Sequence, residues 1–217
     1  MSAGDAAVFT ALLVAAYLFG AVPWGVIVGK VFYHVDVRRH GSGNVGTTNV
    51  FRVLGTRAGV AVLLLDMLKG FVPAILAATF FDPWAAIFIA GAPVVGHMYS
   101  VFLKGSGGKG VATGAAVVLA LAPPAFAIIL AVWLVLVATT RYVSVASLAA
   151  SFLVPVLAVV LSLPLPYRIA AVLVAIIVWW AHRGNIRRLA AGTEHRARMP
   201  WTRDGAGVAG SRGDSSA

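Results

Sequence analysis

The sequence predicts an all-α, polytopic integral membrane protein of about seven transmembrane helices, and three observations carry that prediction. Sixty per cent of the 217 residues are apolar and only 11% are charged, giving a strongly positive mean hydropathy. The apolar residues fall in runs of membrane-spanning length, about 20 residues for a helix. The Lys and Arg residues are distributed so unevenly between the intervening loops that they define two sides. A soluble domain of this size buries only about 70% of its unfolded surface and could not hide so much apolar side chain.

The first apolar segment runs over residues 6–28, with no charge between Asp5 and Lys30. It lacks the basic n-region of a signal peptide and is longer than an h-region, so it reads as a helix retained in the protein. The second covers 56–80 and the third 84–103, parted by the turn-forming pair Asp82-Pro83. Residues 111–139 are free of charge but contain Pro123-Pro124, which interrupts a helix. They divide into a short helix to about residue 122 and a longer one from about 125. The short piece, about 12 residues or roughly 18 Å, reaches only part of the way across a bilayer. The sixth and seventh segments cover 142–161 and 168–181, separated by Leu163-Pro164-Leu165-Pro166.

Seven crossings put the termini on opposite sides. With the C-terminus cytoplasmic, of the 17 Lys and Arg residues only Arg168 falls outside and only Lys69 within a helix. The positive-inside rule therefore places the N-terminus outside and the C-terminus in the cytoplasm. Residues 1–198 read as one membrane-embedded domain. Residues 199–217, rich in Gly, Ser and Arg, read as a disordered basic tail. The net charge of +10 is thereby explained by orientation and the lipid surface, without nucleic acid.

Three polar islands lie on the cytoplasmic side. The first is Gly41-Ser42-Gly43-Asn44-Val45-Gly46-Thr47-Thr48-Asn49 followed by Arg52. Its glycines permit tight turns, and its hydroxyls and amides supply neutral hydrogen-bonding groups. The second, Lys104-Gly105-Ser106-Gly107-Gly108-Lys109-Gly110, runs directly into the short helix at Val111. Glycines at a helix N-terminus expose amide donors at the positive end of the dipole, and Lys109 adds a full charge, so the loop suits phosphate. It is not a Walker A loop, which needs Gly where Leu103 stands and Ser or Thr where Gly110 stands. The third island follows the last helix. His182, Asn185 and Leu189 share one helical face there, so His182 and Asn185 can address one ligand. The neighbouring arginines read as contacts to anionic lipid.

Ser144 opens the sixth segment after Arg141-Tyr142-Val143, and Asp66 and Lys69 form an i, i+3 pair that reads as structural. His97 ends the third segment as either a cap or a functional residue. The chain has no cysteine, which excludes disulfides, thiol nucleophiles and Cys-ligated metals. No His/Asp/Glu cluster has metal-ligand spacing, so neither a metal nor another cofactor is expected.

Taken together, these motifs resemble the bacterial glycerol-3-phosphate acyltransferases that use acyl phosphate as donor. The resemblance spans about residues 23–194. It rests on Ser42 to Arg52, on Lys69-Gly70-Phe71-Val72-Pro73, on Gly96-His97 with Gly107 to Thr113, on Tyr142-Val143-Ser144 and on His182 to Glu194. Ser106, Ser100 and Ala181 depart from the residues usual in that family. The resemblance implies seven helices and a site on the cytoplasmic face of the bacterial inner membrane, with phospholipid synthesis as the role. It implies that Ser42, Asn44, Gly46, Thr48, Asn49, Gly107, Gly108, Gly110 and Val111 cradle acyl phosphate. It also implies that Arg52, Lys109, Ser144, His182 and Asn185 hold glycerol 3-phosphate. His182, Asn185 and Ser144 are then the candidate catalytic residues, and either His182 or the donor's own phosphate oxygen takes the hydroxyl proton. Glu194 reads as remote from the reacting bond, with a role in tying the tail to the loops.

Other readings fare less well. No histidine has Asp five positions later, so the His-x-x-x-x-Asp acyltransferases do not fit. Seven acidic residues in all cannot supply the Asp-rich metal motif of CDP-alcohol transferases. A transporter of an organic phosphate is the alternative from another class. It would use the same anion-binding helix ends, but the outward half is almost purely apolar and repeat symmetry is missing. A structural lipid-binding subunit gives no reason for Arg52, Lys109, His182 and Asn185 to converge. No obligate protein partner is evident.

Overall fold

The computed structural model describes residues 2–197, and the expected basic tail lies outside them. Among these residues the regular structure is entirely helical: α1 Ala3–Ala21, α2 Trp24–Tyr33, α3 Thr47–Leu54, α4 Thr56–Phe80, α5 Pro83–Met98, α6 Val111–Leu121, α7 Pro123–Thr140, α8 Val143–Val160, α9 Leu165–Ala181 and α10 Arg183–Ala190. Five helical stretches are long and apolar enough to cross a membrane: those carrying α1, α4, α5, α7 and α8. Joining α9 and α10, which meet at 55°, makes six. The short helix α6, 11 residues long, stands where the Pro123-Pro124 break predicts it. Pro123 and Pro124 themselves open α7, where a missing N–H costs nothing.

One segment departs from expectation. Residues 6–28 read as a single helix, but the chain breaks at Val22-Pro23 and restarts at Trp24. The apolar run is continuous, so hydropathy alone does not reveal the break. Its freed carbonyls are taken by distant side chains: Ser100 Oγ donates to Ala21 O at 2.6 Å and Lys69 Nζ to Val22 O at 3.0 Å. Such partners are what allow an interrupted helix at membrane depth.

Helices α1, α4, α5 and α6 form one group, α7, α8 and α9 a second, and the groups meet through α6–α7 and α5–α9. At three points within the first group backbone meets backbone. A Cβ added to Gly20 would lie 2.2 Å from Pro93 Cα, one on Gly96 2.2 Å from Tyr17 O, and one on Gly70 2.2 Å from Thr113 O. Close packing of this kind holds helices together where lipid removes the hydrophobic incentive. Large apolar residues such as Phe88, Val135, Phe152 and Ile176 cover the outer faces.

The alternation of directions gathers at one end the break after α1, the ends of α5, α7 and α9, and the starts of α6 and α8. The short helices α2, α3 and α10 lie at that end too. Helix α4 extends beyond this level. Its Asp66 lies beside His97 at the end of α5, and its preceding turns pack Ala58 and Val62 against Val26, Val28, Val37 and Val50. One end of the bundle is thus thickly built and polar.

Candidate active site

Helices α3 and α6 begin at that end with glycine N-caps, Gly46 and Gly110, and no side chain caps either. Helix α8 starts beside them, and the side chain of its N-cap residue Tyr142 makes no capping hydrogen bond. Their first-turn amides remain as donors for a ligand, at the positive ends of three helix dipoles. Gly110 adopts φ +74°, the left-handed conformation that turns the loop into α6. The loop is seated on α5: Gly108 N donates to His97 O at 3.0 Å, and a Cβ on Gly108 would lie 2.0 Å from His97 Nε2. Only glycine passes there.

Three of the five residues expected to hold the acceptor, Ser144, Asn185 and Lys109, come together around one carboxylate. Glu194 Oε1 accepts from Ser144 Oγ at 2.9 Å and from Asn185 Nδ2 at 2.5 Å, while Oε2 accepts from Arg188 Nε at 2.7 Å. Lys109 donates to the other side of the same amide, Asn185 Oδ1. These bonds fit the tying role read for Glu194 from the sequence, and its side chain, 6% exposed, sits in the centre of the cluster. The chain brings it there by reversing at Gly192, φ +69°. A glycine two residues before the only acid of this segment is the signal that points to it. Arg188, read with its basic neighbours as a lipid contact, also donates to this carboxylate. Residues 194–197 are strapped over the start of α8: Ala197 N donates to Arg141 O at 2.7 Å and Arg196 Nε to Tyr142 Oη at 3.1 Å.

His182 is buried, 3% exposed, just past the end of α9. Its Nδ1 lies 2.8 Å from Val178 O, which assigns the ring proton to Nδ1 and leaves Nε2 with a lone pair. Burial, reinforced by the Lys109 charge, pushes the imidazole down to about 4, so it is neutral at pH 7. Burial also pushes Lys109 down to about 8, against the pull of Glu194 and with repulsion from Arg188 and Arg52. For Glu194 burial raises the carboxyl, but the donors Asn185, Arg188 and Ser144 outweigh it and hold it below the usual range. Three cations, one carboxylate and three helix ends leave this region positive, which favours a dianionic ligand.

The first island divides. Ser42 and Thr48 are exposed at its rim, and Asn44 Oδ1 accepts from Gly46 N at 2.8 Å to shape the turn. Asn49 is 1% exposed and uses its amide internally: Nδ2 donates to Val37 O and His40 O, and Oδ1 accepts from Ser42 N and Arg52. Its contribution is therefore to fix the loop, in place of the direct ligand contact expected of it. Among the described residues no group of three or more His, Asp or Glu side chains could hold a metal ion.

Residues 10–192 match the family model described as glycerol-3-phosphate acyltransferase. The glycerol-3-phosphate acyltransferase of Geobacillus kaustophilus is 44% identical over 88% of this chain and 98% of its own length. That of Aquifex aeolicus is 43% identical over 85% and 97%. Among solved structures, the crystal structure of PlsY, an integral membrane glycerol 3-phosphate acyltransferase, in its glycerol 3-phosphate form superposes with a TM-score of 0.84. It is 42% identical over 87% of this chain and 94% of that one. The lysophosphatidic acid form gives 0.82, at 41% identity over the same shares.

Proposed function

We propose, from the premise that the chain belongs to the glycerol-3-phosphate acyltransferase family, that it transfers a fatty acyl group from acyl phosphate to the sn-1 hydroxyl of glycerol 3-phosphate. The products are lysophosphatidic acid and phosphate, and the site faces the cytoplasm across the bacterial inner membrane. The chain is an integral membrane acyltransferase. What supports the finer reading is the single cluster in which Lys109, Asn185, Ser144 and Arg188 meet beside His182 and the glycine loop.

In this reading Lys109 and Arg52 hold the acceptor phosphate, as a point charge and a planar fork. Ser144, His182 and Asn185 orient the glycerol hydroxyl. The donor phosphate lies on the amides of Gly107, Gly108, Gly110 and Val111, with Ser42, Asn44, Gly46 and Thr48 opposite. The acceptor oxygen attacks the acyl carbonyl, the carbonyl–phosphate C–O bond breaks, and phosphate departs. An acyl phosphate is already activated, so alignment and charge stabilisation supply most of the rate. The hydroxyl proton passes to the departing phosphate, because an imidazole held near 4 is a weak base for that task. The acyl chain extends between helices toward lipid, by which the product leaves.

Purified protein in detergent should convert labelled glycerol 3-phosphate to lysophosphatidate with palmitoyl phosphate and make none with acyl-CoA. Product from acyl-CoA would overturn the assignment of the donor. Absence of product from either, joined to counterflow of glycerol 3-phosphate in vesicles, would favour the transporter reading.

A further inference from the structure

A second cluster of charged residues lies buried apart from the Glu194 site. Asp66 and Lys69 are each 1% exposed and 2.8 Å apart. Lys69 also donates to Val22 O, so its ammonium is pinned to the break between α1 and α2. A structural ion pair needs nothing more, yet Asp66 has two further neighbours. Its Oδ1 lies 3.6 Å from His97 Nδ1, and its Oδ2 accepts from Thr47 Oγ1 at 3.5 Å. Thr47 is the first residue of α3, directly after the first polar loop, and His97 is the residue on which Gly107 and Gly108 are seated. One buried carboxylate therefore touches the supports of both loops assigned to acyl phosphate.

We infer that Asp66, clamped by Lys69, is a positioning residue that sets the spacing and orientation of the two donor loops through Thr47 and His97. It touches no substrate. This inference rests on the proposal that those loops bind the donor. A carboxylate here is suited to the task because its Oδ2 accepts from Thr47 while its Oδ1 faces His97, and Lys69 balances it and holds it still where an unpaired charge would be costly. Misalignment of a loop by about 1 Å can cost up to roughly 10²-fold in rate, so the position has functional weight without contact.

The test is a KM split measured on purified enzyme with palmitoyl phosphate and glycerol 3-phosphate. Thr47→Val, His97→Ala and the charge-neutral pair Asp66→Asn/Lys69→Met should each raise KM for palmitoyl phosphate about tenfold. KM for glycerol 3-phosphate should stay within about twofold of wild type. Thr47→Ser and His97→Asn, which keep a donor toward Asp66, should recover most of the loss. The double variant guards against misfolding, since it leaves no buried charge unpaired. If Thr48→Ala at the loop rim raises the donor KM and these variants do not, the role of Asp66 is refuted and the donor loops stand. If Thr48→Ala also leaves the donor KM unchanged, the donor-loop reading fails and this inference with it. Both KM values rising in proportion to a fall in melting temperature would make Asp66 a packing residue and overturn the proposal.

Discussion

Lys109→Ala is expected to lower kcat/KM for glycerol 3-phosphate by about 10²- to 10³-fold, the cost of removing one preorganised charge from a site of this kind. The side chain is half-buried and bound to Asn185, so its loss also frees that amide. Both KM and kcat should suffer, because the role proposed for the ammonium is to fix the acceptor phosphate and align the hydroxyl at its other end. A pH profile gives an independent reading. Burial puts the free-enzyme Lys109 at about 8, so kcat/KM should fall as pH rises through that value and the ammonium becomes neutral. In Lys109→Arg the alkaline fall should move beyond the accessible range, although the planar fork should recover only part of the rate. An alkaline limb unchanged in the arginine variant would remove Lys109 from the acceptor site.

Glu194→Ala should be the most damaging single change to the architecture. It deletes an acceptor that three donors share, leaving the Arg188 guanidinium without its carboxylate beside Lys109. Arg188 is partly exposed and regains water, so the main loss is that of the shared acceptor for the buried Ser144 and Asn185 donors, about 1–3 kcal/mol. For a domain of this length that corresponds to a fall in melting temperature of about 5 °C. Activity should be lost as Asn185 and Ser144 are released, while helix content by circular dichroism stays near wild type because α1 and α4–α9 do not depend on the strap. Glu194→Gln should fall in between, since its carbonyl still serves Ser144 and Asn185 but its amide opposes Arg188. A fully stable, active Glu194→Ala enzyme would show that the carboxylate is dispensable.

The contrast between Lys109 and Glu194 marks the boundary of what local sequence conveys. Lys109 stands in a glycine loop that enters a helix, a pattern whose physics points to phosphate from eight consecutive residues, Lys104 to Val111. The segments likewise declare themselves by local means: α4 covers the predicted 56–80, and Pro123-Pro124 parts α6 from α7 as their chemistry demands. Asp66 and Lys69 are legible as a pair because they are three residues apart on one helix. Contacts between distant positions are not. Pro23 breaks its segment, whereas Pro73, Pro93 and Pro155 remain inside helices. The break is satisfied by Ser100 and Lys69, 79 and 47 residues from the carbonyls they cap. Glu194 and Arg188 escape a local reading for a related reason. Gly192 marks a turn before the acid, but nothing in a basic, interfacial stretch says that the reversed chain lands on α8 and α10. Asn49 suits a ligand contact by its type, but its burial and four internal partners emerge only once the loop is closed.

On the proposed function, acyl transfer takes place at the polar end of the bundle, and this end faces the cytoplasm. Glycerol 3-phosphate is doubly charged and does not cross a bilayer unaided, so sealed vesicles of defined orientation test the claim most directly. With palmitoyl phosphate present in the membrane and labelled glycerol 3-phosphate outside, inside-out vesicles should form lysophosphatidate at once, and right-side-out vesicles only after permeabilisation. Product formed equally by intact right-side-out vesicles would place the site on the opposite face and contradict the orientation drawn from the charges.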